Sequence, residues 1–194
     1  MKFKFLNRHY GNLIHEYEIN TQSLIPFDTL PLLKKYYLDN IEERKKINAA
    51  NLQLTFVEGF RDIEVNAHNE LKKLIEKFYV TENNFGTGAI SLYYSDSNGG
   101  SYDWHDHYDP YNISSIGAVF YWHNMEKDNG GEISFKRPHL PEYRIMPQVD
   151  RLYTFPYWLA HRPNPYMGKG ERYCFNWAYL SSNRIVNKIT GDVW

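Results

Sequence analysis

Apolar and polar positions change their period along the chain, and the changes divide it into recognisable stretches. Over the first twenty residues Phe3 and Phe5, then Leu13, His15, Tyr17 and Ile19, fall on alternate positions and predict one or two strands around a turn near Asn12. From Asp28 the period lengthens. Between Leu30 and Asn51 the residues Leu32, Leu33, Tyr36, Tyr37, Ile41 and Ile47 recur among charges in a loose helical pattern. A second helix is expected from Val65 to Phe78, where Leu71, Leu74, Ile75 and Phe78 are spaced by three and four. The charge runs Glu42 to Lys46 and Lys72-Lys73 are read as solvated helix faces.

After Thr81 the pattern becomes short strands separated by turn signals. Ile90 to Tyr94 ends in Ser95-Asp-Ser-Asn-Gly-Gly100, and Ser115 to Trp122 is an apolar, aromatic strand. Asp128-Asn-Gly-Gly131 turns into Glu132-Ile-Ser-Phe135, and Pro138 to Pro147 reads as a loop or hairpin. Arg151 to Phe155 and Tyr173 to Leu180 complete the series. Strands at short regular spacing, with no helices between them, predict a mainly β fold of the sandwich or jelly-roll kind. No linker divides the chain. The expectation is one domain over residues 1–194, with strands and supporting helices in 1–80 bracing a β-core in 85–182.

Composition narrows the function classes. At 194 residues the chain is long enough for a full core, and its formal net charge of -1 offers no basic field for nucleic acid. Seventeen tyrosines and five tryptophans suit a β-rich core. No apolar run is as long as a membrane span, and the opening MKFKFLNRHY lacks the apolar region of a signal peptide. Cys174 is the single cysteine, so no disulfide can form within the chain. A cytoplasmic, reducing setting is the expectation, with no membrane or nucleic-acid partner.

The candidate chemistry lies in Tyr102-Asp-Trp-His-Asp-His-Tyr-Asp109 and, much later, Phe155-Pro-Tyr-Trp-Leu-Ala-His-Arg162. Residues i and i+2 of a strand face the same way, so His105 with His107, or His107 with Asp109, presents a ligand pair. His161 is positioned to supply a third ligand after the strand Arg151 to Phe155. Taken alone, H-x-D is a weak three-residue pattern that also fits polar surface, and a lone histidine is commonly structural. The pattern gains weight from its order within the strand series. Arg172 opens the last long strand, where an arginine pointing inward requires an acceptor such as an organic carboxylate. A surface arginine would fit the same pattern.

In unbroken order over residues 90–180 these pieces resemble the iron(II)/2-oxoglutarate-dependent dioxygenases, and within them the prolyl-hydroxylase-like branch. The resemblance rests on Gly99-Gly-Ser-Tyr102-Asp-Trp-His105, Ala118-Val-Phe-Tyr-Trp122, Gly130-Gly-Glu-Ile-Ser-Phe135, Asp150-Arg-Leu-Tyr-Thr-Phe155, His161 and Arg172-Tyr173. Residues 1–80 carry no matching motif. The chain departs from the usual H-x-D: its frame puts His105 first and His107 where that branch has an aspartate. Phe155-Pro-Tyr-Trp-Leu-Ala-His161 and Arg172-Tyr-Cys-Phe-Asn176 are similar to a group of oxygenases that carries H-x-H.

The resemblance implies a double-stranded β-helix core with His105, His107 and His161 as iron(II) ligands, and Asp109 as the substitute carboxylate. It further implies 2-oxoglutarate and oxygen as co-substrates, with Arg172 clamping the far carboxylate of 2-oxoglutarate and Tyr94 as a further donor to it. The implied reaction is hydroxylation, of a prolyl or other residue of a protein or peptide, or of a small molecule. Two other readings stay open: a three-histidine cupin-like metal dioxygenase that does not use 2-oxoglutarate, and a silent jelly-roll binding module. Substrate determinants are expected in loops 95–103 and 136–148 and in the N-terminal part.

Overall fold

The computed structural model of the chain describes residues 2–45, 51–81, 84–96, 103–107, 114–126, 129–181 and 185–194. The elements, in order, are β1 (Lys4–His9), β2 (Ile14–Glu18), α1 (Thr21–Leu24), α2 (Leu30–Lys45), β3 (Leu52–Gln53), α3 (Arg61–Phe78), β4 (Tyr79–Val80) and β5 (Asn84–Thr87). The second half contains β6 (Ser91–Asp96), β7 (Ser114–His123), β8 (Ile133–Lys136), β9 (Tyr143–Ile145), β10 (Arg151–Pro156), β11 (Ala160–Pro163), β12 (Glu171–Ser181) and β13 (Val186–Asn187). The expected strands of residues 90–180 are all present, within two residues of their predicted ends. Residues 138–147 form the far arm of a hairpin, β9 on β8.

The large antiparallel sheet runs β1-β2-β10-β7-β12-β6-β3, with β5 also paired to β12. A smaller sheet, β11-β8-β9, faces it. The N-terminal strands are therefore part of the large sheet: β2 joins β10, and β3 joins β6. Mainly β, jelly-roll architecture is what the sequence patterning predicted.

Alternation along β12 divides the interior. Tyr173, Phe175, Trp177 and Tyr179 pack on one face with Leu71, Leu74, Ile75 and Phe78 of α3. Helix α3 forms because its apolar residues fall on one stripe, with Asp62 and Glu64 in the first turn and Lys77 in the last complementing its dipole. Each of these buried aromatic or aliphatic side chains contributes roughly 1.5–3 kcal/mol. On the opposite face Cys174 joins Tyr93, Val119, Tyr121, Phe135 and Phe155 in a second cluster, between the two sheets. Gly117 is required there, because a Cβ would lie 2.7 Å from the Phe155 ring. Among the described residues no helix is long and apolar enough to cross a membrane.

Candidate metal centre

Strand β11 places His161 directly opposite Phe135 of β8, facing the space between the sheets. His105 is held to it by an isolated bridge: His105 N donates to His161 O at 3.1 Å, and His161 N to His105 O at 2.9 Å. His107 follows two residues later, its N–H donating to Tyr157 O at 3.1 Å and its ring stacked on Tyr157 at 4.4 Å. One ligand atom from each of His105, His107 and His161 lies within 4.8 Å of the other two.

The donor set fits a metal ion. His105 Nδ1 lies 2.8 Å from Asp103 O, and His161 Nδ1 lies 2.8 Å from Leu159 O. A carbonyl only accepts, so each Nδ1 carries the proton and each Nε2 presents a lone pair, the arrangement by which outer partners orient histidine ligands. Burial pulls all three imidazoles below their usual range, His161 the furthest and His107 to about 4, and neighbouring imidazoles lower His107 and His161 further. Near neutral pH the rings are uncharged, which is the ligating form.

The triad opens into a cavity of about 520 Å³. Strand register lays side chains across its wall in layers. Tyr93, Cys174 and Tyr121 form one layer, since Cys174 pairs with both tyrosines. Ser95, Arg172 and His123 form the next layer along the strands, behind the cavity wall. Arg172 is fully buried and donates from Nε to Ser95 Oγ (3.0 Å), from Nη1 to Gly131 O (2.5 Å) and from Nη2 to Asn164 O (3.1 Å). The sequence argument that an inward arginine needs acceptors is met here by a hydroxyl and two carbonyls.

Tyr94 lies elsewhere. Its register partner is Tyr173, so it faces the helices, and its hydroxyl donates to Glu171 at 3.0 Å. Burial, and after it that bond, push its pKa upward. Besides Tyr157, the tyrosines that reach the cavity are Tyr93 and Tyr121, which were not among the expected site residues. Their signal was parity: Arg172 pairs with Ser95 and His123, so Tyr93 and Tyr121, two residues back, share its face. Tyr121 is 1% exposed, and its hydroxyl makes no hydrogen bond of ordinary geometry among the described residues, with only the Cys174 thiol as a weak polar neighbour. Asp109, the expected substitute carboxylate, lies outside the described residues, as does Tyr102. Asp106 lines the cavity instead. Trp104 packs against Arg162, 4.7 Å from its ring centroid, and Trp122 lies on the helix side with Phe27 and Tyr173.

No protein-family profile matches the chain, and no curated protein matches it in sequence. Solved structures do resemble its fold. A prolyl hydroxylase from Trichoplax adhaerens, solved with a peptide of the hypoxia inducible factor oxygen degradation domain, superposes with TM-score 0.57 at 13% identity, over 92% of this chain and 83% of that one. A viral collagen prolyl hydroxylase from Paramecium bursaria Chlorella virus-1 gives 0.53 at 13% identity, covering 87% and 91%. A non-heme monooxygenase solved as its nickel complex, ThoJ, gives 0.54 at 14% identity, covering 88% and 72%. The chain thus shares the jelly-roll fold of these prolyl hydroxylases and of this non-heme monooxygenase.

Proposed function

We propose that this chain is an oxygenase in which His105, His107 and His161 hold iron(II), with 2-oxoglutarate and oxygen as co-substrates. The observation that carries this reading is the convergence of three uncharged imidazoles on one cavity, two of them with Nδ1–H tied to backbone carbonyls. Iron(II) held there by His105, His107 and His161 would supply oxidation of a C–H bond coupled to decarboxylation of 2-oxoglutarate. The protein supplies position and environment. Three neutral ligands leave the ion more positive than two histidines and a carboxylate would, which favours an anionic co-substrate. Tyr121, whose hydroxyl has only the Cys174 thiol beside it among the described residues, would donate to the far carboxylate of that co-substrate, and the Arg172 charge lies one layer behind it. Burial of the whole arrangement strengthens both interactions. Likeness in fold to two prolyl hydroxylases makes a prolyl or other residue of a protein or peptide the first substrate class to test. A cytoplasmic setting, the default for a chain with one cysteine, suits the ferrous state.

The test is iron-dependent release of succinate from 2-oxoglutarate by wild type, His161→Ala and Arg172→Ala. Both substitutions are expected to abolish turnover; unchanged turnover in either would overturn the assignment. A second reading, a three-histidine metal dioxygenase without 2-oxoglutarate, is favoured by one observation: Arg172 already donates to the carbonyls of Gly131 and Asn164. It predicts oxygen uptake with no 2-oxoglutarate present. A protein that neither binds iron nor consumes oxygen would be a binding module.

A further inference from the structure

The cavity has a second wall that neither the metal nor an acidic co-substrate uses. Strand β3, the two-residue edge strand from the N-terminal part, pairs Gln53 with Ser91 of β6, and Ser91 pairs on its other side with Asn176 of β12. Directly opposed residues share a face, so Gln53, Ser91 and Asn176 form one polar row across three strands, and all three line the cavity. Asn51, just ahead of β3, lines it as well. The neighbouring positions Ala89 and Ala178 are small and leave space above the row. Among the described residues lining the cavity there is no lysine or arginine, and Asp106 is the single carboxylate.

The two ends of the cavity therefore differ in chemistry. Beyond Tyr121 and Cys174 lies the buried charge of Arg172, suited to an anion. At the Gln53–Ser91–Asn176 row every side chain is neutral, and the two carboxamides each carry both a donor and an acceptor, although Asn176 Oδ1 also takes the Cys174 thiol at 3.9 Å. An amide group answers that pattern with one donor and one acceptor of its own. A carboxylate only accepts, so the carboxamide oxygens would lose their partners and its charge would be desolvated without compensation.

We infer that the row Gln53, Ser91 and Asn176 is a subsite that binds an uncharged amide group of the primary substrate and rejects a carboxylate at the same place. The inference rests on the oxygenase reading only in taking this cavity as the substrate site. It assigns a specificity role to the N-terminal part, whose β3 completes the wall.

Its test is binding, independent of turnover. The nickel-loaded protein is titrated with N-acetylglycinamide and with N-acetylglycine by ligand-observed NMR, with saturating 2-oxoglutarate present and absent. Wild type is expected to prefer the amide by about tenfold, the worth of one satisfied hydrogen bond. Gln53→Leu and Asn176→Leu are expected to weaken amide binding and narrow that preference, and Gln53→Lys to reverse it. Gln53 sits on a short edge strand, and melting curves of each variant confirm that it folds. Equal binding of amide and acid to wild type, or unchanged amide affinity in folded Gln53→Leu and Asn176→Leu, would overturn the inference. Loss of succinate release with the preference intact would instead sink the oxygenase reading and leave this subsite standing.

Discussion

His105 and His161 exchange both of their backbone hydrogen bonds, at 3.1 and 2.9 Å, and their rings lie 4.4 Å apart. The bridge holds two imidazoles in position through the backbone, whatever occupies the site. Ligand geometry set by rigid neighbours in this way needs little reorganisation on binding.

Removing either partner is expected to remove the metal. His161→Ala and His105→Ala should weaken iron or nickel affinity by more than the roughly 10–100-fold that loss of an outer-shell partner costs. Anaerobic titration with metal analysis checks this. His107→Ala should behave likewise while Asp109→Ala keeps full stoichiometry. The opposite result would restore the His107 and Asp109 pair as the true ligands.

Tyr121→Phe separates folding from co-substrate binding. The hydroxyl is buried with only the Cys174 thiol beside it among the described residues and makes no hydrogen bond of ordinary geometry, so the variant should melt close to wild type. Its KM for 2-oxoglutarate should rise about 10–100-fold, the worth of a hydrogen bond to a charged group. A variant with unaltered KM would show that the hydroxyl makes no contact with the co-substrate.

Arg172→Lys is expected to be damaging although it conserves charge. One ammonium cannot reproduce the planar fork that reaches Ser95 Oγ, Gly131 O and Asn164 O together. Each buried acceptor left bare costs about 1–3 kcal/mol, so the melting temperature should fall along with succinate release. A variant as stable as wild type would argue against the described network.

Acid should destabilise the metal-free protein. His15, His105, His107, His123 and His161 all have pKa values lowered first by burial. Unfolded histidines take up protons from about pH 6.5 downward, while these folded ones resist. Their contribution is therefore complete above 6.5 and is lost progressively towards the value of about 4 reached by His107. Denaturant melts at pH 7, 6 and 5 should show a steady fall in stability, and a flat profile would contradict the burial of the rings. Bound metal should steepen it, since protons compete for the same nitrogens.

Gly117→Ala should destabilise by about 1–3 kcal/mol, as overpacking does, because the new Cβ meets the Phe155 ring at 2.7 Å. Phe155 in turn packs 4.8 Å from the His161 ring, so metal affinity should fall as well. Thermal melts and metal titration of the one variant check both effects.

Much of this was legible along the chain. Alternation and turn residues located the strands from β6 to β12, because a half-buried strand imposes its period locally. The spacing of Leu71, Leu74, Ile75 and Phe78 located α3 for the same reason. The ordered motifs singled out His105, His107, His161 and Arg172, and the fold brings the three histidines to one cavity with Arg172 buried behind its wall. What only the tertiary structure decided is which residues share a face across strands. Tyr93 and Tyr94 are equivalent in sequence, and a register of one residue sends Tyr93 to the cavity and Tyr94 to Glu171. Likewise nothing local joins Gln53 to Asn176; β6 does so by pairing with β3 on one edge and β12 on the other. Period belongs to the strand, but register belongs to the sheet. The cluster His105-Asp-His107 was therefore visible as a metal motif, whereas its cavity could be described only once long-range pairing had set the faces.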